Sequence, residues 1–405
     1  MPCTIWYRAG LRWLTPREIV VTMPLRVLWF TTSLGGGGAE SHLIRVANAL
    51  DRDEFSCEIA VARGGGVLES RLRDVPLWAF SSEQTRSSTA SLLKAVLPLR
   101  RQIEASRPDV VCAVMGPANA VTLAALVGIK DRPPLVLCAQ NNPHLAFAGW
   151  HPLNVAVRLA MRHQYCRADA IVALSQGVAD ALPQFDARLS SLIQVIPNAA
   201  LDGSLQIQRH EACSLTKPEG HLLVACGRLN EQKAYPVLLQ AVQQLNRERR
   251  VSLWIVGEGP LRLMLERRTA ELGLADRVQF LGFHRNPYPL MAAADVFVLS
   301  SHYEGFGNVI VEAMACGAPV VATNCPYGPQ EVIRSGENGV LVELNDPTAL
   351  ASGVKRVLDD AALRARLIAA GEATAERYRD TRIAAEYAQV FRDVVATRSA
   401  TPGAA

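Results

Sequence analysis

Residues 296–323 read VFVLSSHYEGFGNVIVEAMACGAPVVAT. An apolar run ends near Leu299, a loop with two glycines follows, and apolar residues resume at helical spacing before a second apolar run opens at Val320. Gly305 and Gly307 forbid one continuous helix, Asn308 is a good N-cap for a helix over 309–316, and 320–322 reads as a strand. Neither strand shows polar alternation, as expected for parallel strands covered on both faces. The stretch is a βαβ unit.

The same unit recurs outward in both directions. After it and before it, strands are expected at 222–226, 253–256, 278–281, 296–299 and 320–322, separated by helices. In the first half they are expected at 25–30, 58–62, 109–113, 135–138, 170–174 and 193–196, with helices at 40–50 and 92–105. Repeated βα is a doubly wound α/β sheet. The polar stretch 195–221, with Pro197, Gly203, Pro218 and Gly220, reads as a linker. The fold class is therefore α/β, two Rossmann-like domains facing across a cleft, the default place for a ligand. The expected boundaries are 23–197 for the first domain, 198–380 for the second, and 381–405 for a final helix (382–394) and a disordered tail. Residues 1–22 contain no uninterrupted apolar core of a signal peptide and read as a loose extension or a start set too far upstream.

Composition agrees with two large cores. The 405 residues are 49% hydrophobic and 20% charged, which excludes a disordered chain. The net charge of +4 is uneven: residues 1–200 hold 20 Lys+Arg against 15 Asp+Glu, residues 201–405 hold 22 against 23. A mildly basic first half suits an anionic partner such as a membrane surface or a phosphorylated substrate, and equally an ordinary solvated surface. The nine cysteines are scattered with no C-x-x-C pair, favouring a reducing cytosol and giving no zinc site. Residues 110–129 carry no charge, but Gly116-Pro117 breaks them into a strand and a helix rather than a membrane span.

Three segments carry chemistry. In FTTSLGGGGAESH (30–42), glycines between a strand and a helix let backbone approach a ligand, and free helix amides attract anions. No G-K-[ST] follows, so it is not a P-loop, and its spacing is not a dinucleotide fingerprint. In ACGRLNEQKAYPVLLQAV (225–242), Arg228 and Lys233 sit between a strand and a helix beginning near Tyr235, a diphosphate site if they share a ligand. In the opening stretch, Glu304 lies ahead of the helix and Glu312 about one turn inside it, both at the carboxyl edge of the sheet. A carboxylate accepts hydrogen bonds from two neighbouring hydroxyls, which suits a sugar ring or a ribose diol. The plainer readings are favourable charge near a helix N-terminus for Glu312 and a solvated loop acid for Glu304. Gly257–Arg262 reads as a structural turn, and Asp51-Arg52-Asp53 as a surface turn rather than a metal motif. Glu331 reads as the cap of its own helix.

Taken together, Gly227-Arg228-Leu229-(x3)-Lys233, Glu304-Gly305-Phe306-Gly307-(x4)-Glu312, Gly317-x-Pro319-Val320-Val321, Glu331 and Gly339 resemble family 4 of the retaining glycosyltransferases, which have the GT-B fold. The resemblance runs from about residue 25 to the C-terminus. It implies that Arg228 and Lys233 bind a donor diphosphate, Glu312 its ribose, and Glu304 the sugar hydroxyls. The backbone around Phe306, Gly307, Asn308 and Val309 would hold sugar and phosphate, Gly37 and Gly38 would approach from the other domain, and the last helix would cross back. Glu304, Arg228 and Lys233 are the residues implied to carry the chemistry, with no metal and no cofactor beyond the nucleotide-sugar itself. The match thins at LCAQNNPH (137–144), where many relatives carry a threonine–x–histidine pattern. Either Asn141 takes over that contact, or His144 folds back to make it, or neither does. His42 reads as structural or acceptor-facing.

The resemblance implies a cytosolic, metal-independent, retaining transferase acting from a UDP-sugar, or next a GDP-sugar, on a hydroxyl of a glycan or polyprenyl-linked glycan, as in bacterial surface polysaccharide synthesis. Nucleic acid is not an expected partner. Basic residues at 91–106 and 153–167 (Lys94, Arg100, Arg101, Arg158, Arg162 and Arg167) permit peripheral docking at the inner membrane face. They also suit amphipathic core helices. Two rivals share the fold and the donor: a nucleotide-sugar epimerase, and a non-catalytic binding partner of another transferase.

Overall fold

A computed structural model of the protein describes residues 23–82, 92–140, 165–213 and 215–400. Strands β1 (Leu25–Thr31), β2 (Phe55–Val61), β3 (Leu77–Ala79), β4 (Val110–Val114), β5 (Leu135–Ala139), β6 (Ala170–Ala173) and β7 (Ile193–Val195) form one sheet in the order β3-β2-β1-β4-β5-β6-β7. A second sheet is built from β8 (His221–Cys226), β9 (Val251–Val256), β10 (Val278–Gly282), β11 (Val296–Leu299), β12 (Val320–Thr323) and β13 (Val340–Val342), in the order β10-β9-β8-β11-β12-β13. All the ladders are parallel, and β4, β5 and β6 are buried along their whole length. Each sheet reverses its winding once, between β1 and β4 and between β8 and β11. In open α/β sheets ligands bind outside the carboxyl ends of the strands at such a reversal. The segments 32–38, 227–233 and 300–307 follow β1, β8 and β11. The topology alone therefore gathers them.

Two strands escape the sequence reading. β3 and β13 have three residues each, and Trp78 in β3 is largely exposed. The uncharged run divides as expected into β4 and the helix Gly116–Leu126, with Met115 at a positive φ of 82° turning the corner.

The polar stretch after β7 is not a loose linker. Asn198, Ala199, Ala200 and Leu201 are all buried. The amides of Ala200 and Leu201 donate to the Tyr378 carbonyl at 3.0 and 3.2 Å, and the Asp380 amide donates to the Leu201 carbonyl at 2.9 Å. The two passages between the sheets are thus hydrogen-bonded to each other. Beyond the second passage, the helix Asp380–Ala400 lies on the first sheet. Tyr387 and Phe391, both fully buried, each pack 5.6 Å from the Trp29 ring of β1, and Phe391 lies 6.2 Å from Phe55. The helix is longer than the 382–394 read from sequence because its exposed ends lack the apolar period.

Candidate functional site

A cleft of about 850 Å³ lies between the carboxyl ends of the two sheets. One wall is the turn after β8. Gly257, at the end of β9 with φ +137°, could carry no Cβ, which would fall 2.1 Å from the Gly227 carbonyl oxygen. That turn therefore does more than bend the chain, because it packs directly beneath the β8 loop. The Tyr235 hydroxyl donates to the same carbonyl at 3.1 Å. A short 3-10 turn, Glu231–Lys233, then leads through Ala234 (φ +47°) into the helix Tyr235–Leu245. This geometry throws Lys233 inward.

Lys233 Nζ lies 2.5 Å from Glu304 Oε1, and the Ser301 hydroxyl donates to the same oxygen at 2.6 Å. Both side chains are mostly buried, 13% and 7% exposed. Lys233 is anchored from behind as well, since the Ser300 hydroxyl donates to its carbonyl at 2.7 Å. Arg228 differs. It is exposed, lines the cleft, and makes no side-chain hydrogen bond or ion pair among the described residues. The wall thus offers one braced ammonium and one free guanidinium. The thiols of Cys226 and Cys325 nearby are pushed up to about 12 by burial, so they pack as small neutral groups.

Glu304, Phe306, Gly307, Asn308, Val309 and Glu312 all line the cleft. Asn308 is not the N-cap expected from sequence. Gly307, at φ +87°, holds that position, and Asn308 is the first residue of the helix Asn308–Ala315. Its side chain spans the domains instead: Nδ2 donates to the Gly38 carbonyl at 3.1 Å, and Oδ1 accepts from Asn198 Nδ2 at 3.1 Å. Asn198 Oδ1 is buried and has no hydrogen-bond partner among the described residues. The Phe306 ring is 3% exposed and packs edge-on against Tyr378 at 5.1 Å.

The opposite wall is the glycine loop. Glu40, 9% exposed, accepts from the Gly37 amide at 2.5 Å and from the Ser33 hydroxyl at 3.3 Å, tying the glycine loop to the start of the helix Gly38–Ala49. Gly37 and Gly38 line the cleft on this side. Glu312 meets an unexpected partner there. Arg45 Nη2 donates to Glu312 Oε1 at 3.2 Å and to the Tyr288 hydroxyl at 2.9 Å. Glu312 Oε2 takes no hydrogen bond among the described residues. The sequence reading missed Arg45 and Tyr288. An arginine inside the apolar run of HLIRVANA was the available signal, since a cation there must be paired.

Glu331 does not cap its own helix. It accepts from the Gln176 and Gly177 amides at 2.8 and 3.0 Å, capping a helix of the first domain, Gln176–Ala181. Asp51 and Asp53 form an exposed turn, in which the Asp53 amide donates to Asp51 Oδ1. Asn141 and His144 lie outside the described residues, as do Arg158 and Arg162.

His42 is structural. It is fully buried; its Nδ1 accepts from the Ala199 amide at 2.8 Å, so Nε2 carries the proton toward the Tyr387 hydroxyl, 3.0 Å away. Burial, and then the Arg45 charge, push its pKa down from 6.5 to about 3. The unfolded chain therefore binds this proton more readily, and His42 stabilises the fold above pH 6.5 and progressively less as pH falls toward 3. Between pH 7.5 and 5 the loss amounts to about 2 kcal/mol. In denaturant melts at the two pH values, wild type should lose about 2 kcal/mol more unfolding free energy on going to pH 5 than His42→Asn does. Parallel pH profiles would reject the assignment.

Two family models match the chain: Glycosyltransferase Family 4 over residues 36–200 and Glycosyl transferases group 1 over residues 207–374. The lipopolysaccharide core biosynthesis glycosyltransferase LpsE of Rhizobium meliloti is 30% identical over 84% of this chain and 90% of its own. The chain belongs to the family 4 glycosyltransferases. The GT-B arrangement follows from the structures as well. HepE of Anabaena, solved in complex with UDP and glucose, superposes with a TM-score of 0.74 at 25% identity, covering 91% of this chain and 100% of HepE. A Campylobacter jejuni relative, named GalNAc-alpha-(1->4)-GalNAc-alpha-(1->3)-diNAcBac-PP-undecaprenol alpha-1,4-N-acetyl-D-galactosaminyltransferase, is 25% identical over 91% of this chain and 99% of its own. This glycosyltransferase thus carries its Lys233–Glu304 pair and Glu312 on the second of two doubly wound domains.

Proposed function

We propose that this glycosyltransferase moves a sugar, with retention and without a metal, from a UDP-sugar to a hydroxyl of a glycan or lipid-linked glycan in surface polysaccharide synthesis. The observation that carries the reading is the free Arg228 beside the braced Lys233–Glu304 pair at the β8/β11 reversal. Arg228, Lys233 and the amides opening the helix Asn308–Ala315 supply positive charge where a leaving diphosphate would develop negative charge. Glu304 offers its unpaired oxygen to a sugar hydroxyl, and Glu312 offers Oε2 to the ribose. In the step itself the anomeric carbon–oxygen bond to the diphosphate breaks and the acceptor oxygen bonds to the same face of the same carbon. The acceptor proton passes to the departing phosphate. The step assigns no side-chain nucleophile.

UDP is favoured as nucleotide by the UDP complexes of HepE, and a polyprenyl-linked acceptor by the undecaprenol in the name of the Campylobacter jejuni relative. Among the described residues no helix is long and apolar enough to cross a membrane. Action at the inner membrane face then rests on peripheral contact through the basic first domain.

Calorimetric titration with UDP, GDP and ADP in EDTA tests the donor site. UDP should bind most tightly, and Arg228→Ala should weaken it about 10- to 150-fold, the worth of a charge-assisted hydrogen bond. Arg228 is exposed and unpaired, so this variant should keep wild-type stability. Equal binding of UDP by both proteins would remove Arg228 from the site.

A further inference from the structure

Arg45 is the most heavily engaged cation facing the cleft, and no expected donor contact explains it. It is 4% exposed, and its guanidinium joins four segments. Nη2 reaches Tyr288 and Glu312, Nη1 donates to the Ala199 carbonyl at 3.2 Å, and Nε lies 3.6 Å from Asp202 Oδ2. Tyr288 and Glu312 belong to the second domain, and Ala199 and Asp202 to the passage that leads into it. A buried carboxylate one turn into a helix has several rotamers open to it. The guanidinium, itself hydrogen-bonded to the Ala199 carbonyl and the Tyr288 hydroxyl, with the Asp202 carboxylate at ion-pair distance, selects one. In that rotamer Oε1 is occupied, and Oε2 of this cleft-lining residue takes no hydrogen bond among the described residues.

We propose that Arg45 is a positioning residue for the donor: it orients Glu312 from the opposite domain so that the free oxygen meets the ribose diol. This rests on the reading of Glu312 as the ribose acceptor. Because Arg45 belongs to the first domain, Glu312 is oriented only when the two domains stand as they do in this arrangement. Ribose recognition and domain approach are then one event. Tyr288, which shares Nη2 with Glu312, keeps the guanidinium from rotating away when the carboxylate takes a ligand.

The test compares UDP with 2′,3′-dideoxy-UDP by calorimetry, so that only contacts to the diol are read. Wild type should prefer UDP by about tenfold or more. Arg45→Lys keeps the charge and loses the fork, and should reduce that preference to within about twofold. Tyr288→Phe, which leaves every charge in place, should reduce it partially and serves if the lysine variant does not fold. A merely structural Arg45 would weaken both nucleotides alike and leave the ratio at the wild-type value, which would overturn the inference. Glu312→Ala separates the two levels. If that variant keeps the preference, or wild type has none, the ribose reading fails and the positioning role falls with it. If Glu312→Ala abolishes the preference while Arg45→Lys and Tyr288→Phe keep it, the ribose reading stands and the positioning role alone fails.

Discussion

Replacing Lys233 with alanine is expected to lower kcat/KM for the donor by about two to three orders of magnitude and to destabilise the fold by roughly 3–5 kcal/mol. The first effect follows from losing the one ammonium braced toward the expected diphosphate. The second follows from burial. Glu304, 7% exposed, would be left with a hydroxyl from Ser301 and no counter-charge. The two effects can be separated with the double variant Lys233→Met/Glu304→Gln. An amide carries no charge to desolvate and still accepts from Ser301, so most of the stability should return, while the turnover should not. Steady-state kinetics on the single variant and urea denaturation on both check this. Turnover near wild type in Lys233→Ala would rule out its part in the chemistry. A stability loss that persists in the double variant would assign it to packing instead of charge.

Phe391→Ala should cost about 3–5 kcal/mol, the usual range for emptying an aromatic site in a closed core. The ring is fully buried and touches Trp29, Phe55 and Tyr387, so little can collapse into the space. Arg392 is the matched control. It pairs with Glu54 and lies 5.9 Å over the Phe55 ring, but both partners of the ion pair are about 40% exposed, and Arg392→Ala should cost less than about 1 kcal/mol. Denaturant midpoints compare the two. Equal losses would mean that the final helix is held by its charges and not by its rings.

Much of this architecture is legible in short windows. Short runs rich in Val, Ile and Leu marked eleven strands, because a parallel strand buried on both faces needs no polar alternation. β3 and β13, three residues each, are not among the strands expected from sequence, whereas β7, equally short, is read together with Ile196. Arg228, Lys233, Glu304 and Glu312 were legible for a different reason: each follows a strand within one βα unit, so chain geometry alone sends them to one sheet edge. Asn308 misled the reading, since an asparagine after glycine at a helix start is a natural cap. Gly307 took that position with a positive φ, and freed the amide side chain to bridge to Gly38.

Local pattern is enough to wind the chain into two parallel sheets and to bring a cationic loop and two carboxylates to the edge of the second. Those features depend on periodicities and turns within about thirty residues, the span of one βαβ unit. What the carboxylates face depends instead on contacts between distant parts of the chain. Arg45 and Glu312 are 267 residues apart, Asn308 and Gly38 are 270 apart, and Glu331 lies 155 residues from the helix that it caps. Contacts at that separation leave no local periodic trace. They exist because two passages of chain, bonded to one another at Leu201 and Tyr378, hold the second domain against the first.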